Sequence, residues 1–295
     1  MRYEPEHFYF DFNYLERKNI SHEEVKKYTR WVDSNFSKLC NNGWDSHLNV
    51  EWIIRTYKSA KMVMASTLML NTASYCIEHN AFIAVPYLLY YALFNISRSL
   101  VFVDPHQPWS SIEKLSRISH SKLSTITKDI IAKLNLNLSF EIYTKIEELR
   151  NDRELFSYAF PANGYQRKIV FENVVGCCGI VAELAELTGF RIQNYIEKHY
   201  LKTEEQRQVA LNTWQKAELC DLVEAYTYSS IIDSEDLYRI DYIKRKRKFP
   251  ASIIFTLTEG MTEDFFGAWL SENDEILSDD YFKPDINWNI IYPIP

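Results

Sequence analysis

Glu147-Glu148-Leu149-Arg150-Asn151-Asp152-Arg153-Glu154-Leu155-Phe156-Ser157-Tyr158 sets two arginines and an asparagine into an otherwise apolar helical pattern. On a helical period of about 3.6 residues, Ile142, Ile146, Leu149, Arg153, Phe156 and Phe160 share one face, and Arg150, Glu154 and Ser157 line the next. Arg153 therefore interrupts an apolar stripe and requires a buried or half-buried partner. A carboxylate on a neighbouring helix would make it a structural ion pair. A phosphate or a catalytic group would make it functional, because a guanidinium offers such oxygens a planar fork of donors.

The surrounding sequence predicts more helices. Of 295 residues, 46% are hydrophobic and 25% charged, an ordinary make-up for a globular chain with a sizeable core. Only 7 are glycine, so turns are sparse and a mainly α fold is expected. Residues 1–50 read as an N-terminal extension with its own helix. There Ser21 and Glu24 form a capping box, Val25, Tyr28, Val32 and Phe36 make a stripe, and Asn41-Asn42-Gly43 makes a turn. Residues 51–202 read as a bundle of about five helices. Its breaks are expected near Glu78 to Asn80, Asp104 to Trp109, Asn135 to Leu138 and Pro161 to Gly164, with Ser110 and Glu113 as a further capping box. Residues 203–295 read as a helix opened by Thr203 and Gln206, followed by a small α+β appendage with a short helix at Thr262 to Leu270. Leu237 to Ile243 and Ser252 to Thr258, rich in β-branched and aromatic residues, suggest a hairpin, and the alternative is a helix running through the basic stretch between them.

About sixty residues before the arginines the chain reads Ala84-Val85-Pro86-Tyr87-Leu88-Leu89-Tyr90-Tyr91-Ala92-Leu93-Phe94-Asn95-Ile96-Ser97-Arg98-Ser99-Leu100. This segment resembles the long aromatic helix of the HEPN superfamily. Ile118-Ser119-His120-Ser121-Lys122-Leu123 is similar to the short His-containing turn of many members, and Leu149-Arg150-Asn151 falls where the superfamily carries its Arg-Asn signature. The resemblance covers roughly residues 52–200 and implies a HEPN-like helical bundle. It also implies a homodimer in which two signature helices face each other across a groove, in a bacterial defence or toxin–antitoxin setting. Nuclease members place a histidine shortly after the arginine. The corresponding residues here are Leu155, Phe156 and Ser157 after Arg150, and Tyr158, Ala159 and Phe160 after Arg153. Tyr158 has the spacing, but a phenol with an ordinary pKa of about 10 is a poor base at neutral pH.

Two functional expectations result. In one, the chain is a catalytically silent HEPN-like module that binds RNA or a protein partner, with Arg150, Asn151 and Arg153 at an interface. In the other, it is an active, metal-independent endoribonuclease in which the RNA 2′-hydroxyl attacks the adjacent phosphate. Arg150 and Arg153 would then stabilise developing charge, and Tyr158 or His120 would move the proton. The run Lys244-Arg245-Lys246-Arg247-Lys248 is a second candidate, either a phosphate clamp for nucleic acid or a solvated turn. A net charge of -7 argues against wholesale coating of nucleic acid and leaves local patches open.

Other chemistry lacks its motifs. There is no Gly-rich phosphate loop, dinucleotide fingerprint, H-E-x-x-H, G-x-S-x-G or EF-hand loop, so no cofactor is expected. The five cysteines and seven histidines lack metal-ligand spacing, and Cys177-Cys178 between two glycines reads as close helix packing. The opening Met1-Arg2-Tyr3-Glu4-Pro5-Glu6 lacks the features of a leader, and the apolar stretches Met62–Ile77 and Ala81–Ile96 are too short to span a bilayer. A cytoplasmic protein without membrane contact is expected.

Overall fold

A computed structural model describes residues 10–109, 112–164, 170–213, 232–246, 251–270 and 281–294. The described residues are helical with no strand among them, as the mainly α expectation requires. In chain order the helices are α1 (Asn13–Arg17), α2 (His22–Leu39), α3 (Ser46–Glu78), α4 (Val85–Val103), α5 (Ile112–Ser116), α6 (His120–Leu134) and α7 (Leu136–Glu154). A π-helical turn, Leu155–Ala159, ends α7, and α8 (Phe171–Tyr200), α9 (Glu204–Thr213), α10 (Ser234–Lys246), α11 (Ile253–Thr256) and α12 (Glu259–Gly267) follow.

The caps explain where the helices begin. At α2, Ser21 Oγ accepts from the Glu24 amide at 3.3 Å while Glu24 Oε2 accepts from the Ser21 amide at 2.8 Å. Glu24 Oε1 also accepts from Asn135 Nδ2 at 2.6 Å. Asn135, alone between α6 and α7, caps α7 by accepting from the Leu138 amide at 2.8 Å. The expected break at residues 135–138 is thus a single residue, and its side chain also holds the start of α2. Gln206 and Thr203 cap α9 reciprocally, and Asn41-Asn42-Gly43 turns with φ +96° at the glycine. The expected capping box at Ser110 lies outside the described residues.

α3 and α4 form the central pair. α4 also packs against α6, α7 and α8, and α8 receives α1, α2 and α11. Arg55 of α3 is fully buried and ion-paired with Glu51 at 2.8 Å. It also donates to the carbonyls of Phe102 and Pro108 and lies 4.9 Å over the Trp109 ring. Its charge is thus compensated where it ties α3 to the segment after α4. Trp109 stacks on Trp52 at 6.0 Å and meets Trp44 edge-on at 6.3 Å, with Phe36 of α2 against both Trp44 and Trp109.

The described parts of both ends belong to the bundle core. Glu183 Oε1 and Oε2 accept from the amides of Tyr14 and Leu15, each at 2.7 Å, at the open N-terminus of α1. One turn further along α8, Glu186 accepts from the Tyr292 hydroxyl at 2.7 Å and the Ile254 amide at 3.1 Å, at the start of α11. Gly179, one turn before Glu183, admits the Tyr14 ring, and a Cβ there would overlap it. That ring has little room to retreat, because its hydroxyl donates to the Ile290 carbonyl at 2.6 Å.

The expected hairpin is corrected. Leu237 to Ile243 lies inside α10, and Ser252 to Thr258 contains the single turn α11. The β-branched content of the first segment serves a helical face, with Ile240 and Ile243 buried beside the half-buried Leu237. Asp233 and Asp236 cap α10 reciprocally, a D-x-x-D signal the β-propensity reading passed over. In the second segment, Gln193 and Glu186 of α8 accept from the amides of Ser252 and Ile254, which a strand would have bonded to a partner strand. The short helix expected from Thr262 begins three residues earlier, at Glu259, capped by Thr258.

Burial pushes the carboxyls of Glu183 and Glu186 from the ordinary 4.5 up to about 7, against the opposing effect of the hydrogen bonds each accepts. The folded chain therefore holds these protons more tightly than the unfolded chain, and stability falls as pH rises from about 4.5 through about 7. Denaturant titrations across that window should show the decline, and Glu186→Gln should flatten it. Gly179→Ala gains about 1 kcal/mol of helix propensity but overlaps Tyr14. A net loss of roughly 1–3 kcal/mol is expected in urea denaturation.

Candidate functional site

Arg150 and Arg153 reach their positions because Ile142, Ile146 and Leu149 are buried and turn this part of α7 towards the core. Arg153 is 15% exposed at its side chain. Its partner is aromatic where a carboxylate on an adjacent helix was one expectation. The guanidinium lies 5.1 Å from the Tyr90 ring centroid and donates to the Tyr91 hydroxyl at 3.5 Å, both on α4. Among the described residues its carboxylate contact is to the neighbouring Glu154, at 3.3 Å. Arg150 pairs with Glu147 at 3.0 Å and lies 3.6 Å from Glu154. The two arginines are thus balanced by two glutamates of their own helix. Such pairs are worth little in stability but cancel much of the local field.

His120, thirty residues before Arg150 in sequence, comes to this cluster as the first residue of α6. Its ring stacks on Phe94 at 4.4 Å, and Nδ1 is hydrogen-bonded to the Tyr90 hydroxyl. Burial, then the charges of Arg153 and Arg150, hold its pKa below the ordinary 6.5. Burial pushes the Tyr90 hydroxyl up to about 12. Both groups are therefore neutral, and one hydrogen bond joins the phenol to Nδ1, its direction set by the imidazole tautomer.

The other expected site residues do not join this cluster. Asn151 is exposed on the solvent side of α7. Tyr158 is 84% exposed in the π-helical turn. That turn also displaces the apolar stripe. Its wider winding shifts the phase of the helix, so Phe156 remains buried while Phe160, expected on the same face, is 65% exposed with φ +43°. Ser157 Oγ meets the Tyr87 hydroxyl at 3.3 Å, which joins the turn to the start of α4. Of the basic run, Lys244, Arg245 and Lys246 form the last turn of α10. Their side chains, together with Arg247 and Lys248, lie outside the described residues. Among the described residues no group of three His, Cys, Asp or Glu side chains could hold a metal ion.

Tyr90 and Tyr91 were the residues missed as site members. Their signal was present, since two adjacent tyrosines on an apolar helix need somewhere to place their hydroxyls. Arg98 also belongs nearby. It lies 5.8 Å from the Phe94 and Phe102 ring centroids and donates to the Ser116 carbonyl at 2.7 Å, with no carboxylate in ion-pairing range among the described residues. Comparison of the chain with protein-family models, curated proteins and solved structures finds no match.

Removing the Arg153 charge takes away one cause of the depressed His120 pKa. NMR titration should place the imidazole of the native chain below 6.5 and show it rising in Arg153→Gln.

Proposed function

We propose that this chain is a HEPN-like helical module without nuclease activity, which binds RNA or a protein partner through the face carrying Arg150 and Arg153. The reading rests chiefly on His120. It is the histidine that lies among the arginines, with Nδ1 engaged by Tyr90 and its basicity lowered by burial and by the charges of Arg153 and Arg150, which weakens it as a general base. The local neutralisation of Arg150 and Arg153 by Glu147 and Glu154 points the same way, because a phosphate would compete with carboxylates already in place. A binding role is supported beside it. Tyr158, Phe160 and Leu155 are exposed large apolar groups on the turn that follows the arginines. Phe160 is held in the left-handed region, which disfavours a bulky side chain, without the gain of burial.

A homodimer across this face is the assembly that the resemblance implies. A cytoplasmic, bacterial defence or toxin–antitoxin setting rests on that resemblance alone. Among the described residues one helix, α8, is long and apolar enough to cross a membrane, and 83% of its apolar 18-residue window is buried inside the fold. The ribonuclease reading keeps one observation in its favour, the convergence of His120 and Arg153 on the Tyr90 ring.

Incubation with RNA in the presence of a chelator separates the two readings. A silent module yields no 2′,3′-cyclic phosphate ends from the native chain, Arg150→Ala or Arg153→Ala, while light scattering gives a dimer that Arg150→Ala and Tyr158→Ala weaken. Cleavage that Arg153→Ala abolishes would establish the ribonuclease instead.

A further inference from the structure

Away from the arginine face, α7 and the first turns of α8 diverge around a cleft of about 530 Å³, within the range of small-molecule sites. Its apolar surface is formed by Phe140, Gly176, Cys177 and Ile180. Gly176 is the informative residue. A glycine inside a helix costs about 1 kcal/mol relative to alanine, and Gly179, three residues on, has a reason to be there because Tyr14 fills its space. A Cβ at Gly176 would meet nothing within 4 Å. No packing demand explains the missing side chain, and its effect is to keep the cleft open.

The polar rim has a definite charge balance. Lys18 is paired with Glu141 at 2.5 Å and Lys145 with Glu148 at 2.5 Å. Glu172, the remaining charged group of the lining, has no cation partner among the described residues. Among the described residues both ammonium groups of the lining are engaged and one carboxylate is left over. Phe140, 50% exposed at the edge, carries the Lys128 ammonium 4.5 Å from its ring centroid and adds the rest of its apolar surface to the cleft. Burial raises the Cys177 thiol to about 11, so it forms part of the wall as a neutral group and is no nucleophile.

We propose that this cleft binds a small organic cation with an apolar body, the ammonium meeting Glu172 and the body lying over Gly176 between Phe140 and Ile180. The site is independent of the arginine face, and neither its presence nor its loss bears on RNA cleavage.

Phenethylammonium and 3-phenylpropylammonium are suitable probes, with the matching phenyl alcohols as uncharged isosteres, followed by ligand-observed NMR. Saturable binding of the ammonium probes is expected, with the alcohols roughly tenfold weaker, a difference of about 1.4 kcal/mol. Gly176→Leu fills the cleft and should abolish binding while leaving circular dichroism unchanged and Tm equal or higher. Glu172→Gln, an exposed substitution that leaves the fold intact, should bring the ammonium probes down to the affinity of the alcohols, and it decides the matter if Gly176→Leu misfolds. The proposal is overturned by equal binding of amines and alcohols, by binding that a folded Gly176→Leu or Glu172→Gln leaves unchanged, or by no saturable binding of any probe up to millimolar concentration.

Discussion

Two carboxylates one helical turn apart anchor segments from early and late in the sequence to the same helix. Glu183 and Glu186 sit in the middle of α8, and between them they accept the amides that open α1 and α11 and the hydroxyl of Tyr292. A short helix such as α1, at five residues, cannot hold itself together in water, because nucleation is unfavourable and few hydrogen bonds follow it. Capping from a long, buried neighbour supplies what the sequence of the short helix lacks. The same contacts bring Phe10 against Tyr292, with ring centroids 5.1 Å apart, so segments nearly the whole chain length apart complete one core.

How much of this could be read in advance depended on the range of the interactions concerned. Ser21 and Glu24, or Thr203 and Gln206, act within one turn, and each pair identifies its helix start without reference to the rest of the molecule. Asn135 was legible as a break but not as a joint, because its second partner, Glu24, lies more than a hundred residues away. The C-terminal segments were misread for a related reason. Isoleucine favours strands only where a pleated neighbour exists, and here the available surfaces were helices. Glu183 and Glu186 gave no sign of their role, since a buried glutamate in an apolar helix is recognisable only when its donors are known.

The arginine face divides similarly. Arg153 interrupting an apolar stripe was a local observation, and the demand for a partner followed from it. That the partner would be the π-face of Tyr90 depended on how α4 crosses α7, which no spacing rule specifies. The same crossing delivers His120 to Tyr90, so one phenol accepts a cation on its ring and is hydrogen-bonded to an imidazole. The arrangement of this face therefore depends on that phenol as well as on the arginines.

The tryptophans gathered where α2, α3 and the segment after α4 meet have an optical consequence. Trp52 and Trp109 are stacked 6.0 Å apart at an interplanar angle of 10°, with Trp44 edge-on to Trp109, so their electronic transitions are coupled and chirally arranged. Arg55 places a full positive charge 4.9 Å from one of these rings and biases its excited state. The chain therefore carries its own chromophore at the junction between its N-terminal helices and its central pair, and that junction can be watched in solution without adding a label.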